Sequence, residues 1–287
     1  NKYLKIYHDD MEHLGILRPD FEPKATEYVS RDKPLMQRFI EVLINRGIAY
    51  VSGGDVYFDI KKAKNYGKLS NQSIERMESG SRVTPGENKR DPLDFALWKS
   101  AKAGEPSWDS PWSKGRPGWH VECSVMSLAT LGDEFDIHGG GIDLIFPHHE
   151  NEIAQSEGAG NKFARICIHN GLLTINGQKM AKSQGNFITI KDFINKYKNA
   201  DLLKLFFLSA HYSSPIDYSE EKIEETRQAL ARIMILLAKI DTKGSLLSRF
   251  WPYKKYPEIE EMKNKFIAAM DDDFNTPGAL ACIFELV

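Results

Sequence analysis

Four short motifs between Gly118 and Asn186 constrain the fold and the chemistry of this chain more than any other feature. The segments that contain them alternate between strand patterns, at 135–138 and 164–169, and helix patterns, at 120–131 and 147–158. This alternation is typical of an α/β fold with a parallel sheet. In chain order the motifs are Gly118-Trp119-His120-Val121-Glu122-Cys123, His138-Gly139-Gly140-Gly141-Ile142-Asp143, His148-His149-Glu150-Asn151-Glu152 and Lys179-Met180-Ala181-Lys182-Ser183.

The flanking segments predict two domains with a boundary near residue 190. After residue 189 the pattern is purely helical, because apolar residues recur at helical spacing. Segment 61–117 is polar and rich in turn residues, and we expect the tryptophans at its end, Trp108, Trp112 and Trp119, to attach this irregular insertion to a core. Helices are predicted at 3–17, 32–47, 190–197, 201–210, 220–240 and from Thr276, with hairpin strands at 48–51 and 56–60.

The composition excludes several classes of protein. A formal net charge of −2 over 287 residues excludes a strongly basic nucleic-acid coat, although local basic patches stay possible. No apolar run approaches the roughly 20 residues that span a bilayer, so no membrane association is expected. Cys123, Cys167 and Cys282 are spaced too widely and irregularly for a disulfide framework. A reducing, cytoplasmic location is therefore predicted.

The first and third motifs together contain a candidate zinc site. His148 and Glu152 are four residues apart, which places them on one face of a helix, and Cys123 can supply a thiolate from the neighbouring helix. Three ligands leave one coordination position open, as in catalytic zinc sites. The alternative is a surface histidine–glutamate pair beside an ordinary buried cysteine. Cys167 is a possible fourth ligand, but its position in a core strand favours a structural role.

The second and fourth motifs are candidate sites for an anionic or nucleotide ligand. Glycines 139–141 after His138 let the backbone approach a ligand closely, and Asp143 can accept a hydrogen bond from a ribose or an amino group. Lys179 and Lys182 lie between two glycines, so their loop can close on a triphosphate. The alternatives are a tight turn and a solvated lysine loop. The loop follows the last strand of the α/β pattern, where open sheets bind ligands.

These motifs also resemble a known family. Lys-Met-Ala-Lys-Ser (179–183) is similar to the second signature loop of class I aminoacyl-tRNA synthetases, Lys-Met-Ser-Lys-Ser, with Ala181 in place of the middle serine. Longer strings resemble cysteinyl-tRNA synthetases, among them Gly-Arg-Pro-Gly-Trp-His-Val-Glu-Cys (115–123), Met-Asp-Asp-Asp-Phe-Asn-Thr-Pro (270–277) and segments 94–99, 104–108, 110–112 and 135–155. The resemblance covers essentially the whole chain.

The resemblance implies an α/β fold with a defined order of parts. Residues 1–190 would be the second part of a Rossmann-like class I synthetase catalytic domain, with an inserted subdomain at about 26–117. Residues 191–287 would form an α-helical domain that contacts the tRNA stem. The first part, with a His-Ile-Gly-His signature and a fourth, cysteine zinc ligand, would lie upstream of residue 1. An anticodon-binding domain would follow Val287.

The resemblance also implies a reaction, its partners and its site residues. The partners would be L-cysteine, ATP with Mg²⁺ and tRNA(Cys), and a single zinc ion would be bound by Cys123, His148 and Glu152. Trp119, His138 and Asp143 would line the pocket for the substrate cysteine. Lys179 and Lys182 would be catalytic. The ATP site would comprise Lys179, Lys182, Ser183, Gly140 and Asp143.

Zinc would explain how cysteine is selected. Cysteine and serine have nearly the same shape, and packing separates such near-isosteres poorly, whereas zinc prefers a soft thiolate to a hydroxyl. We expect a monomeric, cytoplasmic cysteine–tRNA ligase that makes a cysteinyl-adenylate. Two alternatives remain at this point: a cysteine ligase of the mycothiol type, whose acceptor is an amino sugar, and a non-catalytic zinc-stabilised binding module.

Overall fold

The chain forms two compact units, each with its own hydrophobic core. A computed structural model describes residues 2–74, 88–180, 185–241 and 256–286. One unit comprises Pro19–His169, and the other comprises Asn1–Arg18 with Asn170–Val287. The domain limits predicted from the sequence, 1–190 and 191–287, stay a prediction.

The first half of the unit Pro19–His169 is built on a four-stranded antiparallel sheet in the order β1-β2-β3-β4. Strands β1 and β2 form the predicted hairpin, in which Ser52 pairs with Asp55. After helix α1 (Lys2–His13), which belongs to the other unit, the elements are α2 (Ala25–Tyr28), α3 (Leu35–Asn45), β1 (Ala49–Ser52), β2 (Asp55–Phe58), β3 (Phe95–Ser100) and β4 (Gly115–Pro117).

The core of this unit lies between the sheet and helix α3. Phe58, Ile40 and Leu43 are fully buried there, since the apolar side of α3 faces the sheet. Trp98 of β3 is also fully buried and contacts Trp112 edge to face, with ring centroids 5.9 Å apart. Trp108 packs against the same core. The prediction that tryptophans attach this loop to a core is confirmed for Trp108 and Trp112 and is wrong for Trp119, which is 58% exposed.

The second half of the unit carries the first three motifs. Its elements are α4 (Trp119–Leu131), β5 (Phe135–Gly141), α5 (Glu150–Ala159) and β6 (Ala164–Asn170), and β5 and β6 are neighbours in a two-stranded sheet. Gly118, at the start of α4, lies so close to β3 that an added Cβ would be 2.0 Å from the carbonyl oxygen of Ala96. Only glycine therefore permits this approach.

Helix α5 starts later than the sequence pattern indicates. Pro147 was expected to open the helix, but Ile145–His149 form a wide helical turn that is interrupted at Phe146, whose backbone is extended (φ −135°, ψ 132°). The residue before a proline avoids the helical region because the proline ring clashes with it. The regular helix therefore begins at Glu150, and the predicted start at Pro147 is wrong.

The other unit combines a small sheet with helices. The predicted helices at 190–197, 201–210, 220–240 and from Thr276 are confirmed to within two residues at their starts and ends, except that the last had no predicted end. The elements are β7 (Leu173–Ile175), β8 (Gln178–Lys179), α6 (Ile190–Tyr197), α7 (Ala200–Leu208), β9 (Ile216–Tyr218), α8 (Glu220–Asp241), α9 (Pro257–Asp271) and α10 (Thr276–Glu285).

Strand β7 lies between β8, which is antiparallel to it, and β9, which is parallel to it. The core of this unit buries Phe193, Leu202, Phe206, Tyr218 and Ile223. Helix α6 is fixed at its start by a capping box between Thr189 and Asp192. Among the described residues, no helix combines the length and the apolar character needed to cross a bilayer.

Candidate metal centre

Glu152 lies at the centre of a buried cluster of histidines at the start of α5. Its side chain is fully buried, with Oε1 2.6 Å from Nε2 of His148 and Oε2 2.7 Å from Nε2 of His138. Apart from these two ion-pair contacts, both carboxylate oxygens and Nε2 of His138 are buried without a hydrogen-bonding partner. Burying a carboxylate in this way is costly unless a cation compensates it. The donor set therefore fits a metal ion.

The charge state of Glu152 agrees with this interpretation. Burial raises the pKa of this carboxyl group, but the imidazoles of His138 and His148 outweigh burial and lower the pKa to about 2. The carboxylate is therefore ionised at neutral pH and can act as a ligand.

Cys123 completes a set of three donors with His148 and Glu152. One ligand atom from each residue lies within 4.8 Å of the others, and thiolate, imidazole and carboxylate are all zinc ligands. Burial, together with the nearby carboxylates of Glu152 and Glu122, raises the pKa of the Cys123 thiol to about 12. Without a metal the thiol is therefore protonated, and a metal that binds here would displace that proton.

His120 supports His148 from helix α4. Its Nδ1 lies 2.8 Å from Nδ1 of His148, and the contact is buried. Burial and the neighbouring His148 lower the pKa of His120 to about 4, so its ring is neutral and can accept a hydrogen bond. When Nδ1–H of His148 is the donor, Nε2 of His148 keeps its lone pair towards the cluster. Metal-binding histidines are commonly oriented by such a partner.

A second set of three donors shares Glu152. Ligand atoms of His138, His149 and Glu152 also lie within 4.8 Å of one another. Nδ1 of His149 lies 2.8 Å from Nε2 of His169. Gly140 is required beside this histidine, because an added Cβ would lie 2.8 Å from Cε1 of the His149 ring. The sequence pattern did not indicate His120, His149 or His169 as site residues, although His120 and His149 lie inside the quoted motifs.

The structure places the other predicted site residues as follows. Trp119 is 58% exposed, and its ring lies 4.3 Å, centroid to centroid, from the ring of His148. Asp143 is exposed in a single turn, Ile142–Leu144, that follows β5. Both residues lie in the unit that contains the metal cluster. Lys179 is exposed at the end of β8 and belongs to the other unit, while Lys182 and Ser183 lie outside the described residues.

Glu150 is a buried residue of the third motif that the sequence did not single out. Its side chain is 1% exposed, and its carboxylate accepts hydrogen bonds from the backbone N–H groups of Gly67, Leu69 and Ser70. These bonds attach segment 67–70 of the chain to the helix that carries Glu152. Glu150 thus binds the backbone of segment 67–70, whereas Glu152, two residues later in the helix, contacts the histidine cluster.

Comparison with known families gives matches over most of the chain. Residues 1–228 match the family described as tRNA synthetases class I (C) catalytic domain. Residues 265–287 match the family described as DALR domain.

The chain is also similar to curated proteins named cysteine–tRNA ligase. It is 52% identical over 289 residues to the protein of Persephonella marina and 49% identical over 294 residues to that of Aquifex aeolicus. Both alignments cover 100% of this chain and 58% of the relative. The chain therefore spans a little over half the length of the curated relatives it matches.

Among solved structures, methionyl-tRNA synthetase of Mycobacterium tuberculosis in complex with methionyl-adenylate has a similar fold. The TM-score is 0.69 at 15% sequence identity, and the match covers 98% of this chain and 67% of the other. The apo form of that enzyme gives a TM-score of 0.63 at 13% identity, covering 99% of this chain and 68% of the other. At these identities the similarity concerns the fold alone, and it agrees with the predicted α/β class I fold.

Proposed function

This chain belongs to the family of class I (C) tRNA synthetase catalytic domains, and on that premise we propose that the protein containing it activates L-cysteine with ATP and transfers it to tRNA(Cys). One observation of the structure carries the proposal. The thiol of Cys123 and the imidazole of His148 converge on the carboxylate of Glu152, whose two oxygens are buried with only imidazole nitrogens beside them. The named relatives, about half identical over the whole chain, support the same reaction.

In this proposal Cys123, His148 and Glu152 hold one zinc ion, with His120 orienting His148. A fourth ligand is expected to be a cysteine from the part of the protein upstream of residue 1. The bound zinc supplies a Lewis acid that prefers a soft thiolate to a hydroxyl, and so it favours cysteine over serine. This selectivity matters because a packed pocket separates such near-isosteres by a factor of only about 100.

The chain's own residues would bind the rest of the amino acid. Trp119 has an exposed ring against His148, so it can form one wall of a pocket beside the metal ligands. His138, whose Nε2 is buried next to Glu152, and Asp143, on the turn after β5, would form other parts of the wall. The carboxylate of Asp143 can accept a hydrogen bond from the substrate's ammonium group or from the ribose of ATP.

ATP with Mg²⁺ would be bound by residues of the second and the fourth motifs. Gly140 lets the backbone of β5 come close to a ligand, since it has no Cβ. Lys179, Lys182 and Ser183 would contact the phosphates, and the two lysines would stabilise the charge that develops as pyrophosphate leaves. Asp143 would complete the site.

The helices after residue 190 would contact the stem of the tRNA. Residues 265–287 match a DALR domain, and the relatives extend beyond the part that this chain covers. We propose that the whole protein is a monomer and acts in the cytoplasm, where tRNA is charged.

An acceptor assay tests the proposal. The full-length protein is given radiolabelled cysteine, ATP and either tRNA or an amino sugar, and the labelled products are separated. The proposal predicts label on the 3′ end of tRNA(Cys) and none on the sugar. Label on the sugar would instead indicate a mycothiol-type ligase, and the absence of any cysteine-dependent ATP–pyrophosphate exchange would indicate a non-catalytic module. Either result contradicts the proposed function.

A further inference from the structure

We infer that Glu152 serves two cation positions and that His138, His149 and Glu152 form a second, weaker site for Zn²⁺. This inference rests on the proposed function, which assigns the first position to Cys123, His148 and Glu152. The second position would lie where the substrate cysteine is proposed to bind, so excess zinc would compete with cysteine.

The carboxylate of Glu152 presents its two oxygens to two different imidazoles. Oε1 lies 2.6 Å from Nε2 of His148, whereas Oε2 lies 2.7 Å from Nε2 of His138. A cation held by Cys123, His148 and Oε1 compensates only one of these oxygens. Oε2 and Nε2 of His138 would still face each other in the buried cluster, and neither has another hydrogen-bonding partner. Sites with two metal ions hold them about 3.5–4 Å apart, a distance that the two oxygens of one carboxylate can serve with one ion each.

His149 supplies the third donor of the second position. Its Nδ1 lies 2.8 Å from Nε2 of His169, so one proton is shared across that contact. When His149 donates this proton, its Nε2 carries a lone pair. Ligand atoms of His138, His149 and Glu152 then converge within 4.8 Å. His169 would orient His149 in the same way that His120 orients His148, which gives each position its own supporting histidine.

The ligand types predict the metal and the order of affinity. Two imidazoles and one carboxylate suit zinc and its neighbours in the first transition row, not Mg²⁺ or Ca²⁺, which prefer oxygen ligands. The second position lacks a thiolate and shares its only negative charge with the first. It must therefore bind zinc more weakly than the first position.

Zinc stoichiometry is the test. The full-length protein is freed of metal and titrated with Zn²⁺ against a chromophoric chelator of known affinity. We expect two zinc ions per chain in the wild type. His149→Ala should remove the weak position and keep the tight one, whereas His120→Ala should weaken the tight position by about tenfold and leave the weak one. His211→Ala, in the other unit, is the matched control and should change neither.

Two results would overturn the inference. One is a wild type that still binds only a single zinc ion when the free Zn²⁺ concentration is raised well above the values that the chelator buffers. The other is equal loss of both positions in a His149→Ala protein whose thermal unfolding curve is unchanged. Kinetics give a second readout: excess zinc should raise the KM for cysteine more in the wild type than in His149→Ala, because zinc that binds free cysteine in solution affects both proteins equally. Failure here leaves cysteine activation with one zinc intact, whereas failure of the proposed function appears as absent activation at any zinc level.

Discussion

Replacing Glu150 with glutamine removes one charge from a carboxylate that three backbone amides bind. The oxygens of the wild-type residue accept hydrogen bonds from N–H of Gly67 at 3.0 Å, of Leu69 at 3.1 Å and of Ser70 at 2.8 Å. Glutamine has the same shape but only one acceptor oxygen. In its best orientation the amide oxygen keeps the bonds from Leu69 and Ser70. The side-chain NH₂ group then faces the N–H of Gly67, which loses its acceptor.

The expected loss of stability follows from these contacts. A hydrogen bond to a charged group contributes about 1.5–3 kcal/mol and a neutral one about 0.5–1.5 kcal/mol, so two weakened bonds cost about 2 kcal/mol. Leaving one buried N–H group unsatisfied costs a further 1–3 kcal/mol or so. We therefore expect Glu150→Gln to lower the local free energy of opening of segment 67–70 by about 3–5 kcal/mol.

Hydrogen exchange measured by mass spectrometry on the full-length protein checks this value. Peptides that contain Gly67, Leu69 and Ser70 should exchange at least about 100-fold faster in the variant, since 1.4 kcal/mol corresponds to a factor of ten. Glu157→Gln is the matched control: Glu157 lies on the same helix and pairs with Lys68 of the same segment, but on the surface. Its effect should stay within about 1 kcal/mol. Equal exchange rates in the two variants would refute the reasoning.

Three further predictions concern the fold. Gly118→Ala should lower the free energy of unfolding by more than 2 kcal/mol or so, because its Cβ would lie 2.0 Å from the carbonyl oxygen of Ala96. Gly139→Ala is the control in urea titrations, since its nearest contact would be 3.8 Å, and an equal loss would contradict the steric argument. Asn199→Ala removes the N-cap of α7 and should cost about 1 kcal/mol by the same assay, with no change expected if the cap contributes nothing. Burial raises the pKa of Asp55, but hydrogen bonds from Lys99, Ser100 and Tyr57 outweigh burial and lower it. The stability that this carboxylate adds is therefore present above its unfolded pKa of about 3.9 and is lost as the pH falls through the lower folded value. The stability difference between the wild type and Asp55→Asn should accordingly shrink between pH 7 and pH 2, and a constant difference would contradict the assigned cause.

The sequence predicted the long elements because their periodic patterns are strong. Helix α3, the β1–β2 hairpin and the helices after residue 189 all follow from apolar spacing and turn residues. Helix α9 and strands β7 to β9 were not predicted. The strands have two or three residues each, too few to display an alternating pattern. Strand β9 is defined by its pairing with β7, which is distant in sequence, whereas β7 and β8 form a hairpin across Asn176-Gly177, a local turn signal that the prediction missed.

The candidate metal centre was predictable to the extent that its ligands follow local rules. His148 and Glu152 share a helical face at a spacing of four residues, and the structure brings Cys123 to them. The supporting residues could not be identified in this way. Along the sequence, the partner of His149 is 20 residues away and the partners of Glu150 are 80 to 83 residues away, so no local pattern contains these contacts. The roles of Lys179, Lys182 and Ser183 stay predictions.

The central claim is that zinc bound by Cys123, His148 and Glu152 selects cysteine over serine. It is tested most directly by ATP–pyrophosphate exchange catalysed by the full-length zinc-loaded protein, with cysteine and serine compared as substrates. The claim predicts a ratio of kcat/KM values well above the factor of about 100 that packing supplies, and a ratio that collapses when Cys123→Ser lowers the zinc content. A ratio of about 100 or less in the zinc-loaded wild type would contradict it.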